Sequence, residues 1–262
     1  MIEQHWEAVE RIRANAPLVH NITNYVVMNT TANALLAIGA SPLMAHAPEE
    51  IDELLGLASA LVVNIGTLSS PWIAAMRLAA RRAGEIGKPW VLDPVGVGAS
   101  LLRTSTAASL LALRPSVVRG NGSEILALGG AVGAVRGVDS TQSSSAAIDV
   151  ARTLAQRTGS VIAVTGAVDY VTDGTRVVEI AQGVPLMSRV TGLGCTASAL
   201  IGAFLAVKPN PLDAAASALT VFGVAAEVAA ERAEGPGTLQ LHLLDALHRI
   251  DEATLRARVR TS

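Results

Sequence analysis

Short, nearly continuous apolar runs rich in β-branched residues alternate along this chain with longer stretches of helical periodicity, and that rhythm limits the fold more than any other feature. The runs are Leu18–Ile22, Pro42–Ala45, Ala60–Ile65, Trp90–Asp93, Ser116–Arg119, Val161–Thr165 and Pro185–Val190. A strand that is apolar at almost every position is one covered on both faces, as in a parallel sheet flanked by helices. Between the runs, the spacing predicts helices over Tyr25–Ile38, Glu49–Ser59, Trp72–Ile86, Ser123–Leu128 and Ser140–Arg157. Strand and helix in turn predict an α/β fold of three layers, α/β/α, with a mostly parallel central sheet and helices on both faces.

One place breaks the rhythm. Val168–Thr172 and Arg176–Ile180 flank Asp173-Gly174, a dipeptide suited to a tight turn, so an antiparallel pair is expected near one sheet edge. The C-terminal part is helical. Asn210-Pro211-Leu212-Asp213 carries a capping Asn, a Pro at the first position and an acid in the first turn. That helix is expected to run to about Ala233 and stop at Gly235-Pro236-Gly237, after which Thr238 caps a last helix. With no linker, repeat or low-complexity segment, residues 1–262 are expected to form a single domain.

Composition narrows the partners. Half of the 262 residues are hydrophobic but only 3% are aromatic, so the core must be built from Ala, Val, Leu and Ile. With 16% charged residues and a mean hydropathy of +0.43, the chain is expected to hide part of its surface in a subunit interface. A net charge of −2 gives no basic footprint, so no nucleic-acid partner is expected. The Arg residues between Arg249 and Arg260 are interleaved with Asp251 and Glu252, as on a solvated helix face. The single cysteine, Cys195, excludes an intrachain disulfide framework and places the protein in the reducing cytoplasm. Met1–Arg13 lacks the apolar core of a signal peptide, and Ala197–Val207 and Ala214–Ala226 fall short of the ~20 apolar residues that span a bilayer, so no membrane partner is expected.

The residues able to carry chemistry sit where strands give way to turns. Thr191-Gly192-Leu193-Gly194-Cys195-Thr196 reads as a glycine turn between a strand and a helix rich in small residues. Glycines at Gly192 and Gly194 let the backbone aim successive N–H groups at one point, and the helix N-terminus adds its dipole, which suits an anion such as a phosphoryl group in transfer. An ordinary strand–turn–helix junction would read the same way. Cys195, in the first turn, is expected to have a lowered thiol pKa there, although free cysteines are often buried small hydrophobes. Asp93 ends a strand and can hold Mg²⁺ directly or through water, or cap the next turn. Arg119 is placed at the end of the following strand, with Glu124 in the first turn of the helix after it. A guanidinium beside a carboxylate at successive strand ends suits a nucleotide and its metal. Thr165 closes another strand with a hydroxyl for phosphate or ribose. His20-Asn21-Ile22-Thr23-Asn24 and the Met44–His46 stretch follow two further strands. Asn24 and Met44 there can hydrogen-bond and pack against a heteroaromatic ring, while His20 and His46 read as turn histidines. Asp169 and Asp173 read as structural members of the hairpin. No Walker motif, G-x-G-x-x-G dinucleotide turn or G-x-S-x-G elbow is present.

Taken in order, these segments resemble the hydroxyethylthiazole kinase family. The resemblance is carried by His20–Asn24 with Val26–Asn29, Thr31–Asn33 leading to Gly39–His46, Asn64–Leu68, Asp93–Gly98, Arg119–Asn121, Arg136–Ser140, Asp169–Gly174 and Thr191–Cys195. It implies a ribokinase-like α/β/α fold and a homotrimer with sites at subunit interfaces. It also implies transfer of the γ-phosphoryl of ATP, with Mg²⁺, to 4-methyl-5-(2-hydroxyethyl)thiazole in thiamine salvage. By resemblance, Arg119 and Thr165 match ATP-contacting positions, Met44 and Gly192 match thiazole-contacting ones, and Glu124 and Asp93 match the acidic Mg²⁺ region. Asn24 is placed with the acceptor, and Gly192, Gly194 and Cys195 with catalysis. Cys195 stands where most of the wider ribokinase-like group carry an Asp as base. Two positions depart from the family pattern: Gly122, where Ala is usual, and Ala167, where an acid is frequent. The alternatives are a kinase of another heteroaromatic alcohol, such as a hydroxymethylpyrimidine or pyridoxal, or a non-catalytic thiazole or nucleotide sensor.

Overall fold

The computed structural model describes residues 2–131 and 144–260. Its centre is one sheet of β1 (Leu18–Ile22), β2 (Ser41–Met44), β3 (Ala60–Asn64), β4 (Trp90–Asp93), β5 (Val117–Asn121), β6 (Val161–Thr165), β7 (Asp169–Thr172) and β8 (Val177–Ile180). The strand order is β2-β1-β3-β4-β5-β6-β7-β8. Pairing is parallel from β2 through β6, and the last two pairs are antiparallel. The parallel α/β reading and the edge hairpin are both borne out.

Because side chains alternate across a strand, the apolar runs feed two cores. Val19, Val62, Val91 and Val117 pack with α1 (Ile2–Asn15), α2 (Met28–Ile38), α8 (Leu193–Leu205), α9 (Pro211–Ala230) and α10 (Pro236–Arg249). Leu61, Val63, Trp90, Leu92 and Val118 pack with α3 (Ile51–Leu57), α4 (Ser70–Glu85), α5 (Leu101–Leu111), α6 (Gly122–Ala131) and α7 (Ser144–Thr158). The short α11 (Glu252–Arg258) closes the first layer through Leu255.

Several expectations need correction. Pro185–Val190 is not a strand: Pro185–Arg189 forms a 3₁₀ turn. Pro185 supplies no N–H to a ladder, and its fixed φ suits a first helical position instead. The glycine turn therefore follows a helical turn rather than a strand. β5 runs two residues past Arg119, to Asn121, so Arg119 lies inside the strand opposite Ala163. Thr238 does not precede the last helices. It sits in the first turn of α10, where its hydroxyl accepts the Glu234 and Gly235 N–H groups at 2.9 and 3.2 Å. Helix α9 is 20 residues long and apolar enough to cross a membrane by length and composition, beyond the shorter stretch expected. Its most apolar window is 83% buried within this fold, which accounts for that composition as core. The segment Arg136–Ser140 and the predicted start of the helix at Ser140 lie outside the described residues.

Candidate active site

The carboxyl ends of β1, β3, β4, β5 and β6 converge on the N-terminus of α8. Gly192, the residue before that helix, has φ +83°, a left-handed conformation in which any other residue would be strained. The first intrahelical bond runs from the Thr196 N–H to the Gly192 carbonyl at 2.8 Å. The N–H groups of Leu193, Gly194 and Cys195 precede it and have no intrahelical acceptor. The glycine turn read from the sequence is thus present, built on a helix end alone.

Arg119 is held against this turn. Its guanidinium donates to the Thr165 hydroxyl, and its Nη1 lies 3.9 Å from Asp93 Oδ2. A Cβ on Gly194 would fall 2.5 Å from Arg119 Nη1, so only glycine lets the guanidinium lie this close to the helix end. Arg119 and Thr165, from neighbouring strands, are brought together as one unit. Asp169 belongs to this corner too. Its Oδ1 accepts the Gly166 N–H at 2.9 Å, and burial pushes its pKa up to about 6 against the pull of that bond and of Arg119.

Asp93 is fully buried. Its Oδ2 accepts the Ser198 hydroxyl at 2.7 Å and the Asn64 amide at 2.9 Å. Burial raises its pKa to about 6; Arg119 opposes this, Glu124 adds to it, and Ser198 and Asn64 oppose it. Its other oxygen, Oδ1, is buried without a hydrogen-bond partner among the described residues. Glu124 lies at the start of α6, with Oε1 accepting the Gly96 N–H and Oε2 the Asn121 N–H, both at 2.8 Å. Those bonds fasten the loop after β4 to the loop after β5 and bring Glu124 into the field of Asp93.

Cys195 is half-buried, and its Sγ accepts a long hydrogen bond, 3.6 Å, from Asn24 Nδ2. The expected lowering of its pKa is overturned: burial first, and then the Asp93 charge, push the thiol up to about 11. The amides of Asn64 and Asn24 and the Arg119 charge pull the other way without prevailing. Asn24 itself is buried, its amide nitrogen also donating to Asn64 Oδ1 at 2.8 Å and its oxygen accepting the Val26 N–H at 3.1 Å. Met44, at the end of β2, is partly exposed. His20 donates or accepts at the Ala45 carbonyl, 2.8 Å away, and the His46 ring lies 4.4 Å from that of Trp72. Both histidines are engaged as structural groups.

Sequence reasoning missed three members of this constellation. Ser198 lies in a small-residue helix, where its only signal was being polar, and Asn64 ends an apolar strand and entered only within the Asn64–Leu68 segment of the family resemblance, without a role. Arg103 comes from α5, whose exposed Leu101 and Leu102 and buried Thr106 and Ala107 blur the helical pattern. It donates to the carbonyls of Ile65, Gly66 and Val95 at 2.7 to 2.9 Å, tying the loops after β3 and β4 together.

Comparison with known proteins settles the ancestry of this arrangement. A sequence profile of the hydroxyethylthiazole kinase family matches residues 9–253. The chain belongs to the hydroxyethylthiazole kinase family. It is 60% identical over 245 residues to a hydroxyethylthiazole kinase of Granulibacter bethesdensis, covering 94% of this chain and 89% of that one. A solved hydroxyethylthiazole kinase protein from Pyrococcus horikoshii superposes with a TM-score of 0.93 at 48% identity, over 98% of both chains. A ribokinase-like superfamily protein from Enterococcus faecalis, at 14% identity, shares the fold with a TM-score of 0.67, over 90% of this chain and 88% of that one. The ribokinase-like architecture is therefore that of this kinase family and of a wider group. Of the two departures from the family pattern, Gly122 opens α6 where a Cβ would sit 3.7 Å from that of Ala147, an ordinary contact. Glycine and alanine are equally accommodated there.

Proposed function

We propose that this protein transfers the γ-phosphoryl group of ATP to the hydroxyl of 4-methyl-5-(2-hydroxyethyl)thiazole, a salvage step toward thiamine, and does so as a single-domain cytoplasmic enzyme assembled as a homotrimer. The observation that carries the reading is the meeting of Cys195, Arg119 and Asp93 at the start of α8, in a chain of this family. Arg119 and Thr165 bind the nucleotide phosphates, with the free N–H groups from Leu193 to Cys195 facing the group in transfer. Met44, Gly192 and Asn24 define the acceptor side. Tyr25 and Val26, 67% and 63% exposed beside Asn24, support a site that a neighbouring subunit completes.

Cys195 acts on the acceptor hydroxyl. A thiol near 11 is protonated at neutral pH and is a poor base from the ground state. Phosphoryl transfer tolerates this, because its loose transition state asks chiefly for alignment and charge neutralisation, with the proton leaving late, to an oxygen of the transferred phosphoryl group or to water rather than to the sulfur. The sulfur accepts a hydrogen bond from the hydroxyl and fixes its line of attack, while Gly192 and Gly194 keep the N–H groups open to the developing charge.

The donor set suits Mg²⁺. Asp93 Oδ1 is a buried oxygen with no partner among the described residues, and Glu124 lies within its electrostatic reach. Among the described residues no group of three or more acidic, His or Cys side chains could hold a metal, as befits an ion that takes one or two carboxylates and completes its shell with water and phosphate oxygens. When bound, Mg²⁺ would neutralise charge on the transferring phosphates.

The deciding experiment is ADP release by purified protein with ATP, Mg²⁺ and hydroxyethylthiazole, run beside hydroxymethylpyrimidine and pyridoxal. Selective turnover of the thiazole is the expected result. Turnover of another alcohol instead would move the substrate, and ligand binding without ADP release would make the protein a sensor. In the same assay Glu124→Gln should shift the Mg²⁺ titration to higher concentration; an unchanged titration would remove Glu124 from the metal site.

A further inference from the structure

The polar groups behind Cys195 form a chain whose direction is not free. Asn64 Oδ1 accepts the backbone N–H of Gly66 at 2.9 Å, so its Nδ2 faces the other way, onto Asp93 Oδ2, an oxygen that accepts when ionised. Asn24 Oδ1 accepts the backbone N–H of Val26, so its Nδ2 faces both Asn64 Oδ1 and Cys195 Sγ. Two backbone N–H groups and one carboxylate thus decide which end of each amide points where. Neither amide can flip without leaving a buried donor or acceptor unpaired. Asn64 and Asn24 are 1% and 3% exposed, so water cannot replace the lost partners. Space adds to the constraint: a Cβ on Gly66 would fall 2.5 Å from Asn24 Nδ2, so the Asn24 amide is packed flat against a bare backbone. The chain ends at the sulfur. A donor fixed on one side of Sγ occupies one of its lone pairs and leaves the S–H and the remaining lone pair directed elsewhere.

We propose that Asn64 is a positioning residue for phosphoryl transfer: clamped by Asp93 and Gly66, it holds the Asn24 N–H on the Cys195 sulfur and so aims that sulfur at the acceptor hydroxyl. This rests on the kinase reading above, since it assigns Cys195 to the acceptor. It requires no contact of Asn64 with either substrate. Asn64 lies in β3, at the depth of Asp93 opposite it in β4, one layer behind the reacting groups.

Two readouts separate this role from a merely structural one. The first is kinetic. Asn64→Leu keeps the branched shape but removes its three bonds, to Asp93, Gly66 and Asn24; it should lower kcat about tenfold, on the scale of one lost hydrogen bond to a reacting group, and leave the ATP KM unchanged. Asn24→Leu should do the same, and the double variant should be no slower than the slower single one, because the two act through one sulfur. In a Cys195→Ala background, Asn64→Leu should cost nothing further. The second readout does not depend on turnover. Cys195 is the sole thiol of the chain, so its rate of alkylation by iodoacetamide can be followed directly. Losing the Asn24 donor should slow that reaction roughly fivefold in both variants, since the donor favours the thiolate. Should Asn64→Leu not fold, Asn64→Thr keeps a hydroxyl for Asp93 while withdrawing the oxygen from Asn24, and carries the same expectations. Additive losses in the double variant, or alkylation at the native rate in folded Asn64 and Asn24 variants, would overturn the proposal. Absence of turnover in the unsubstituted protein would instead count against the kinase reading and leave the alkylation result to decide this one.

Discussion

At the scale of single residues, the surroundings of Cys195 and Asp93 work against the charged form of each. Cys195 is held as a thiol by burial and by Asp93, so a carboxylate in its place should be a better base at neutral pH even with a raised pKa. Cys195→Asp is expected to keep kcat within about tenfold of the native value and to add an acid limb to the pH–rate profile. A folded Cys195→Asp protein without activity would remove the orienting account of the sulfur. Asp93 makes the complementary point about stability. Its folded-state pKa, about 6, stands above the 3.8 of the unfolded chain. The folded form therefore binds the proton more tightly, a contribution fully present below about pH 4 and lost as pH rises through 6. In a buried group, the shift of about two units corresponds to ~3 kcal/mol of stability absent at pH 8. Asp93→Asn should therefore raise the melting temperature at pH 8, measured in EDTA, and change it little at pH 4.5, while activity falls. Equal shifts at both pH values would show that packing rather than ionisation governs the change.

At the scale of elements, what the sequence disclosed followed the strength of each pattern. The parallel strands were legible because burial on both faces makes them apolar throughout, and the hairpin because Asp173-Gly174 sits between two β-branched runs. Pro185–Val190 misled because a short apolar run does not distinguish a strand from a helical turn, and only Pro185 argued against the ladder. Helix α1 was illegible for the opposite reason: Ala8, Val9 and Ile12 are its buried residues amid Glu and Arg. The site was legible where it carried glycines and charges on turns, at Gly192, Gly194, Asp93 and Glu124. It was hidden at Asn64, Ser198 and Arg103, whose meaning depends on which loops the fold brings within reach. Arg103 offers a test at this scale. Arg103→Met keeps the stem but removes donors to three loop carbonyls, and should lower stability by about 2–4 kcal/mol in denaturant titration. Gly194→Ala should instead leave stability nearly unchanged and raise the ATP KM at least about tenfold by displacing Arg119, on the scale of a lost charge-assisted bond. An unaltered KM would mean that Arg119 does not meet the nucleotide.

At the scale of the whole molecule, the apolar composition is shared between two cores and an incompletely covered surface. Tyr25, Val26, Leu36, Leu57, Leu101, Leu102 and Leu241 are each more than half exposed. A homotrimer would cover some of them, and sedimentation at micromolar concentration should return about three times the 26.9 kDa chain mass. A monomer would leave the apolar surface to another partner. The two layers also differ in when the chain can complete them. One face of the sheet is covered by α3 to α7, each close in sequence to the strands it meets. The other waits for α8 to α11, yet α1 belongs to it as well: Arg13 donates to the His248 and Ile250 carbonyls at 2.9 Å, and His5 meets Ser217 at the same distance. Helix α1 thus finds most of its seat only once helices far downstream of it have been made. Of the helices made early, only α1 and α2 belong to that face, so most of it stays open meanwhile, with the apolar α9 segment still to be shielded. This layer therefore closes late in folding, and the yield in a cell will depend on how well the partly open sandwich is guarded until α1 meets α8 to α11.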